Sequence, residues 1–228
     1  MAEKQTEEVS EEVPEETVEE IVEEEKKFEP AARNMYGFIR EKWKNIDADE
    51  DMKHLMWERL IEWRKEPSFI RIDKPTRLDR ARELGYRAKT GYTIVRARVR
   101  KGGLRKRTIK GGRRPKKKGM SKITMRKNVQ VIAEERTAKH HPNMEVLASY
   151  WVGEDGRHKW YEVILVDPMQ PAIKNDPKIN WILRPANRGR AFRGLTPAGK
   201  KSRGLVRGKG LGHEKVRPSL GANKRRGT

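Results

Sequence analysis

Apolar residues recur from Arg33 onward at two different periods, and the switches between them mark the predicted elements. Residues 33–44 (RNMYGFIREKWK) and 51–65 (DMKHLMWERLIEWRK) have helical spacing. In the second, Met52, Met56, Leu60 and Trp63 fall at i, i+4, i+8 and i+11 with Leu55 alongside, which predicts one buried stripe. Pro67 ends that helix. A short helix fits 76–84, where Thr76 and Asp79 have capping-box spacing and Gly85 takes the position after the C-cap. At 93–100 (TIVRARVR) the period falls to two: Val95, Ala97 and Val99 point one way, while Arg96, Arg98 and Arg100 point the other with Ile94. This predicts a strand with its apolar face on a core and its arginine face outward.

Residues 101–127 break the pattern. They lack apolar periodicity and contain Gly102, Gly103, Gly111, Gly112 and Gly119. A connection this long far exceeds the ~4–6 residues usual in a compact domain, so it is either disordered or wrapped against a partner. Order returns at Asn128 with a helix to about Lys139, whose apolar side is Val129, Ile132 and Ala133 and which Pro142 stops. Residues 145–152 and 158–166 read as two strands joined by a hairpin loop at 153–157. From Pro168 to Pro185 the chain is expected to pack on the core. The predicted class is α+β: a small, mostly antiparallel sheet with helices packed on one side, a long basic internal loop and an extended basic C-terminal tail. Trp43, Trp57, Trp63, Trp151, Trp160 and Trp181 all lie in predicted ordered segments and are expected in the core.

Charge then gives these elements a purpose. The 228 residues carry 54 Lys and Arg against 33 Asp and Glu, a formal net charge of +21. Residues 1–30 hold thirteen Glu and three Lys and read as an acidic, disordered arm. Residues 84–133 contain eighteen Lys or Arg and no acid, and residues 184–228 contain fourteen basic side chains, one acid (Glu214) and nine Gly. Blocks of like charge this long repel themselves unless a polyanion neutralises them. Nucleic-acid phosphates do so and release condensed counterions. Glycines let the backbone approach a sugar–phosphate chain, and arginine forks grip two phosphate oxygens.

The expected organisation is therefore an arm at 1–30, an α+β RNA-binding core at 31–183 carrying the basic loop 101–127, and an extended tail at 184–228. In the core the expected RNA contacts are Arg77, Arg80, Arg82, Arg87 and Lys89, with Arg96, Arg98 and Arg100 of the strand. In the loop they are Lys101, Arg105, Lys106, Arg107, Lys110, Arg113, Arg114, Lys116, Lys117 and Lys118. In the tail they are Arg184, Arg188, Arg190, Arg193, Lys200, Lys201, Arg203, Arg207 and Lys209.

Other chemistries find little support. No run approaches the ~18 apolar residues of a membrane span, and the N-terminus lacks the apolar stretch of a signal peptide. With no Cys, disulfides, thiolate–zinc sites and thiol catalysis are excluded, which suits a cytoplasmic protein. Gly194 to Lys200 has the skeleton of a phosphate loop, but Lys201 stands where Ser or Thr would hold magnesium and no apolar strand precedes it; it reads as an RNA-contacting loop. His140 and His141 diverge by about 100° on a helix and place positive charge at its C-terminus with Lys139. No catalytic group, metal site, cofactor or homo-oligomer is expected. On charge alone, a free RNA chaperone or other general nucleic-acid-binding protein is the alternative.

Longer motifs narrow the choice. The run DRARELGYRAKTGY at 79–92 followed by Ile94-Val95-Arg96, SYWVGEDGRHKWYEVILVDP at 149–168, PAIKNDPKINWI at 171–182 and FRGLTPAGKKSRGL at 192–205 together resemble the large-subunit ribosomal protein fifteen family of archaea and eukaryotes. The resemblance covers about Met35 to the C-terminus. It implies a structural, non-catalytic protein of the large ribosomal subunit that binds large-subunit rRNA beside neighbouring ribosomal proteins. It also implies a small α+β core whose internal loop and basic tail thread between RNA helices. The acidic residues 1–30 depart from the family pattern, in which the chain begins close to Met35-Tyr36.

Overall fold

The computed structural model describes residues 34–106, 111, 116 and 119–205. The acidic arm, much of the middle of the basic loop and the tail beyond Leu205 lie outside the described residues. The described residues build one antiparallel sheet of four strands in the order β1-β2-β4-β3: β1 (Phe69–Ile72), β2 (Tyr92–Arg100), β3 (Glu145–Glu154) and β4 (His158–Val166). β2 and β3 extend the predicted strands by one and two residues, and β4 has the predicted bounds. β1 has only four residues, too few to display a period in the sequence.

Around the sheet stand α1 (Met35–Lys44), α2 (Glu50–Lys65), α3 (Leu78–Glu83), α4 (Val129–His140), α5 (Pro171–Lys174) and α6 (Pro197–Ser202). Short polar side chains start four of them by accepting an otherwise unpaired amide of the first turn. Asn34 accepts from Gly37 N at 3.0 Å, Asp49 from Met52 N at 3.3 Å, Asn128 from Val131 N at 2.8 Å and Thr196 from Gly199 N at 3.1 Å. Asp49 also accepts from Lys42 Nζ at 2.6 Å, tying the end of α1 to the start of α2.

Helices cover both faces of the sheet, not one. On the first face, Ile94, Tyr150, Trp160 and Ile164 pack with Met56 and Trp63 of α2, Trp43 of α1, and Ile173, Ile179 and Ile182 of the segment after β4. On the second, Val95, Ala97, Val146, Val163 and Leu165 lie with Ala133 of α4. β4, paired on both sides and covered above and below, is buried without interruption from Trp160 to Val166. The one-sided expectation came from the arginines of β2. They do face away from Val95, Ala97 and Val99, but Arg96 and Arg98 lie against the end of α2, bonded to Glu66 and to the carbonyls of Trp63 and Arg64, and only Arg100 stays exposed.

Four local expectations are corrected. The capping box at 76–84 does not form: α3 starts at Leu78 behind Arg77, which makes no side-chain cap bond, because Thr76 turns inward to the Glu162 carboxylate. Leu55 is 38% exposed and Trp57 60% exposed, since both are rotated off the Met56–Trp63 stripe of α2. Trp43, Trp63 and Trp160 are buried as expected, and Trp151 and Trp181 are half-buried. Finally, residues 184–205 are not an extended tail. They contain α6 and bury Arg190, Ala191, Thr196 and Ala198.

Gly153 shows how closely α2 sits on β3. A Cβ there would lie 3.1 Å from Trp63 Cζ3 and 3.4 Å from Met56 Cε. Gly153→Val is expected to destabilise the protein by about 1–3 kcal/mol through overpacking, read from the urea midpoint of the RNA-free chain. An unchanged midpoint would show that α2 is free to move away.

Candidate nucleic-acid interface

The expected RNA-contacting residues divide by burial. Four guanidinium groups are spent inside the protein. Arg96 Nη2 donates to both Glu66 carboxylate oxygens at 2.7 Å, and its guanidinium carbon lies 4.6 Å from the Trp63 ring centroid. Arg98 Nη1 donates to the carbonyls of Arg64 at 2.6 Å and Trp63 at 3.4 Å, satisfying acceptors that the end of α2 leaves open. Arg77 lies over the Trp43 ring at 4.8 Å and pairs with buried Asp79 at 3.5 Å. Arg190 is 7% exposed and donates from Nη1 to the carbonyls of Val146 and Leu147, both at 2.8 Å. The outward arginine face of β2 is thus corrected to Arg100 alone, and Arg190 is a structural clamp inside the fold. Planar forks with several donors suit such carbonyl-rich positions better than any other side chain.

A second group is partly engaged at the surface. Lys89 Nζ pairs with Asp176 at 2.5 Å, and Lys101 Nζ with Glu154 at 2.8 Å. The hydrogen bond from Lys101, then that from Lys159, holds the Glu154 carboxyl below its usual range; Lys89 does the same to Asp176. Arg80 pairs with Glu83, Arg82 Nε donates to Tyr36 Oη at 3.3 Å, and Arg203 Nη1 donates to Gly194 O at 3.3 Å.

The remainder face solvent. Arg87, Arg100, Arg105, Lys106 and Lys116 are exposed, as are Arg184, Arg188, Arg193, Lys200 and Lys201 of the C-terminal segment. Arg126, absent from the sequence-based set, joins them: it is exposed, and its carbonyl accepts from Ser202 Oγ at 3.3 Å beside α6, while exposed Lys127 next to it pairs with Glu135 at 2.6 Å. The chain separation between 126 and 202 hid this neighbourhood from any local pattern. Arg107, Lys110, Arg113, Arg114, Lys117, Lys118, Arg207 and Lys209 lie outside the described residues.

What orients the C-terminal cations is a buried carboxylate. Glu134 of α4 is fully buried, accepting from Ser149 Oγ of β3 at 2.5 Å and from Thr196 Oγ1 at 2.6 Å. The same Thr196 oxygen caps α6. Glu145 adds a second tie by accepting from Gly189 N at 3.0 Å. The loop-like sequence from Gly194 to Lys200 is therefore a packing device. A Cβ on Gly199 would lie 2.5 Å from Gly194 Cα, and Gly194 itself has φ +64°. On the other face Glu162 accepts from Thr76 N at 3.0 Å and from the Thr76 and Tyr150 hydroxyls. Among the described residues no cluster of three or more His, Cys, Asp or Glu could hold a metal ion, and no helix is long and apolar enough to cross a membrane. His141 caps α4, with Nδ1 3.1 Å from Thr137 O, and His140 stacks on Phe69.

These features define a small α+β protein with a buried carboxylate on each face of its sheet and many exposed cations on its outer surface. Residues 34–223 match the family model described as ribosomal L15. The large ribosomal subunit protein eL15 of Methanospirillum hungatei is 54% identical over 194 residues, which cover 85% of this chain and 98% of that protein. The chain belongs to the ribosomal L15 family, in agreement with the resemblance seen in the sequence motifs.

Burial pushes the Glu134 carboxyl above its usual range, against the lowering effect of its two hydroxyl donors and of Arg190. A carboxyl with a raised folded value binds its proton more readily folded than unfolded. Stability therefore falls as pH rises from the ordinary value near ~4.3 to the raised one, and the loss is constant above it. Glu134→Gln is expected to remove part of that slope. Urea unfolding of the RNA-free protein from about pH 4 to about pH 8 should show wild type losing stability relative to the variant as pH rises. A pH-independent difference would mean that Glu134 titrates alike in both states.

Proposed function

We propose that the protein is a structural, non-catalytic component of the large ribosomal subunit in the cytoplasm. It binds large-subunit rRNA, beside neighbouring ribosomal proteins, and clamps converging RNA helices through phosphate contacts. The observation that carries this reading is the 54% identity to a large ribosomal subunit protein over nearly the whole of that protein. The exposed cations on the outer surface supply the chemistry. A-form RNA hides its major groove and is recognised mainly through shape, phosphates and 2′-hydroxyls, so exposed cations on a rigid body suit it. The proposed contacts are the exposed members of the expected set, with Arg126 added. The basic residues outside the described segments extend the clamp. The described residues between 34 and 205 form the body, and the internal basic stretch at 107–118 and the chain beyond 205 supply the extensions.

Sedimentation tests residence: the protein should remain in large subunits after a moderate salt wash, and loss into the free pool would sink the ribosomal reading. Affinity for protein-free large-subunit rRNA tests the mechanism. With roughly 10 phosphates neutralised, it should fall by several orders of magnitude between about 50 and about 200 mM salt. Removing Lys200 and Lys201 together should lower the slope of log affinity against log salt by about 1–2. A slope unchanged by that double substitution would remove α6 from the interface.

A further inference from the structure

Just past the C-terminal end of α3 the surface opens into a hollow of about 200 Å³. Leu84, Leu147 and Ile179 supply its apolar lining, and Tyr92 and Trp181 supply two aromatic rings. Both rings are half-buried and already held in place. Tyr86 meets Tyr92 edge-on with ring centroids 5.9 Å apart. Trp181 donates from Nε1 to Lys178 O at 3.2 Å, and the Arg190 guanidinium covers one face of its ring at 4.8 Å. Two exposed cations, Arg87 and Lys178, complete the lining, and neither has an ion pair within 4.0 Å among the described residues. Asp176 is the acid of the lining, and both its oxygens are taken, by Lys89 Nζ at 2.5 Å and Lys178 N at 2.9 Å. Glu83, beside Leu84, pairs with Arg80.

We propose that this hollow takes one unpaired base of large-subunit rRNA, an inference that rests on the ribosomal reading above. The base stacks on the Tyr92 and Trp181 rings, and Arg87 and Lys178 hold the phosphates beside it. Size, preorganisation and charge favour a nucleotide over other occupants. The hollow is smaller than the ~300–1,000 Å³ pockets of drug-sized ligands, which suits a single ring system better than a length of peptide. Because both rings are fixed before binding, stacking on them costs little side-chain ordering. The cations Arg87, Lys89 and Lys178 outnumber Asp176, so phosphates are attracted and a Lys- or Arg-rich protein segment is repelled. An apolar protein side chain would fill the hollow and leave Arg87 and Lys178 without a counterion. Phosphate contacts set position without reading the base, so a base held here adds a recognition that the rest of the cationic surface lacks.

The test compares Tyr92→Leu, which loses the aromatic face, with Tyr92→Phe, which keeps it, in the full chain on protein-free large-subunit rRNA. Tyr92→Leu should lower affinity by about 5- to 150-fold at every salt concentration, with the slope of log affinity against log salt unchanged, and Tyr92→Phe should restore it. Chemical probing should find one unpaired base that wild type and Tyr92→Phe protect and Tyr92→Leu leaves reactive. The double variant Arg87→Gln, Lys178→Gln changes only exposed side chains and decides the matter if Tyr92→Leu does not fold. It should leave the same base reactive and lower the salt slope by about 1–2. A photo-crosslinking phenylalanine at position 87, read in salt-washed large subunits, should join to that nucleotide. Unchanged affinity in Tyr92→Leu, equal losses in the Leu and Phe variants, or a wild-type footprint in the double variant would overturn the proposal. So would a crosslink to a protein, the chain's own residues 1–30 included. Wild type that fails to bind the rRNA at all would overturn the ribosomal reading together with this one.

Discussion

Self-repulsion is the constraint around which this fold is built. A chain with a net charge of +21 weakens its own compact state with every exposed cation, and the fold counters part of this with ion pairs such as Lys89–Asp176, Arg96–Glu66, Lys101–Glu154 and Lys127–Glu135. Glu134 and Glu162 are fully buried on opposite faces of the sheet, each joined to hydroxyl groups from elements far apart in sequence. Arg77, Arg96, Arg98 and Arg190 are drawn in with aromatic rings, carboxylates or helix-end carbonyls around them. Burying a charge is costly unless its hydrogen bonds are met, so these groups also select one arrangement of α2, α4 and the C-terminal segment. The cations left outside are then held at fixed positions by a rigid body.

Most secondary structure was legible because its period was unbroken. The Met52–Trp63 spacing, the alternation of 93–100 and the two runs around 153–157 all correspond to observed elements. The errors have a common physical origin. Periodicity reports which residues are apolar, and it says nothing about a charged side chain whose stem is buried. Arg96 and Arg98 therefore looked like a solvent face, and Glu134 looked like one more polar position on an amphipathic helix. Thr76 has the right spacing for a cap, yet a buried carboxylate competes for its hydroxyl and wins. Residues 184–205 looked extended because glycines and cations dominate them, while their order depends on one threonine, two acids and a contact between two glycines.

The sign of the surface charge was legible, but not which cations stand on the surface. Composition pointed to a polyanion partner, and long motifs pointed to the ribosomal L15 family, to which the chain belongs. Neither could separate an arginine that faces solvent from one that clamps a strand. Arg193, exposed, and Arg190, buried, stand three residues apart in the same glycine-rich stretch. Distinguishing them required the carbonyls of Val146 and Leu147, which the chain brings close only in the folded state.

The central claim is that internal acids order the C-terminal cations before any RNA is bound. Amide hydrogen exchange on the RNA-free protein tests this directly. The amides of Gly189, Leu195, Gly199 and Lys200, which donate to Glu145, Arg190 O, Thr196 Oγ1 and Thr196 O, should be protected along with β3 and β4. Exchange of these four amides at the rate of an unstructured chain, with the sheet still protected, would contradict the account.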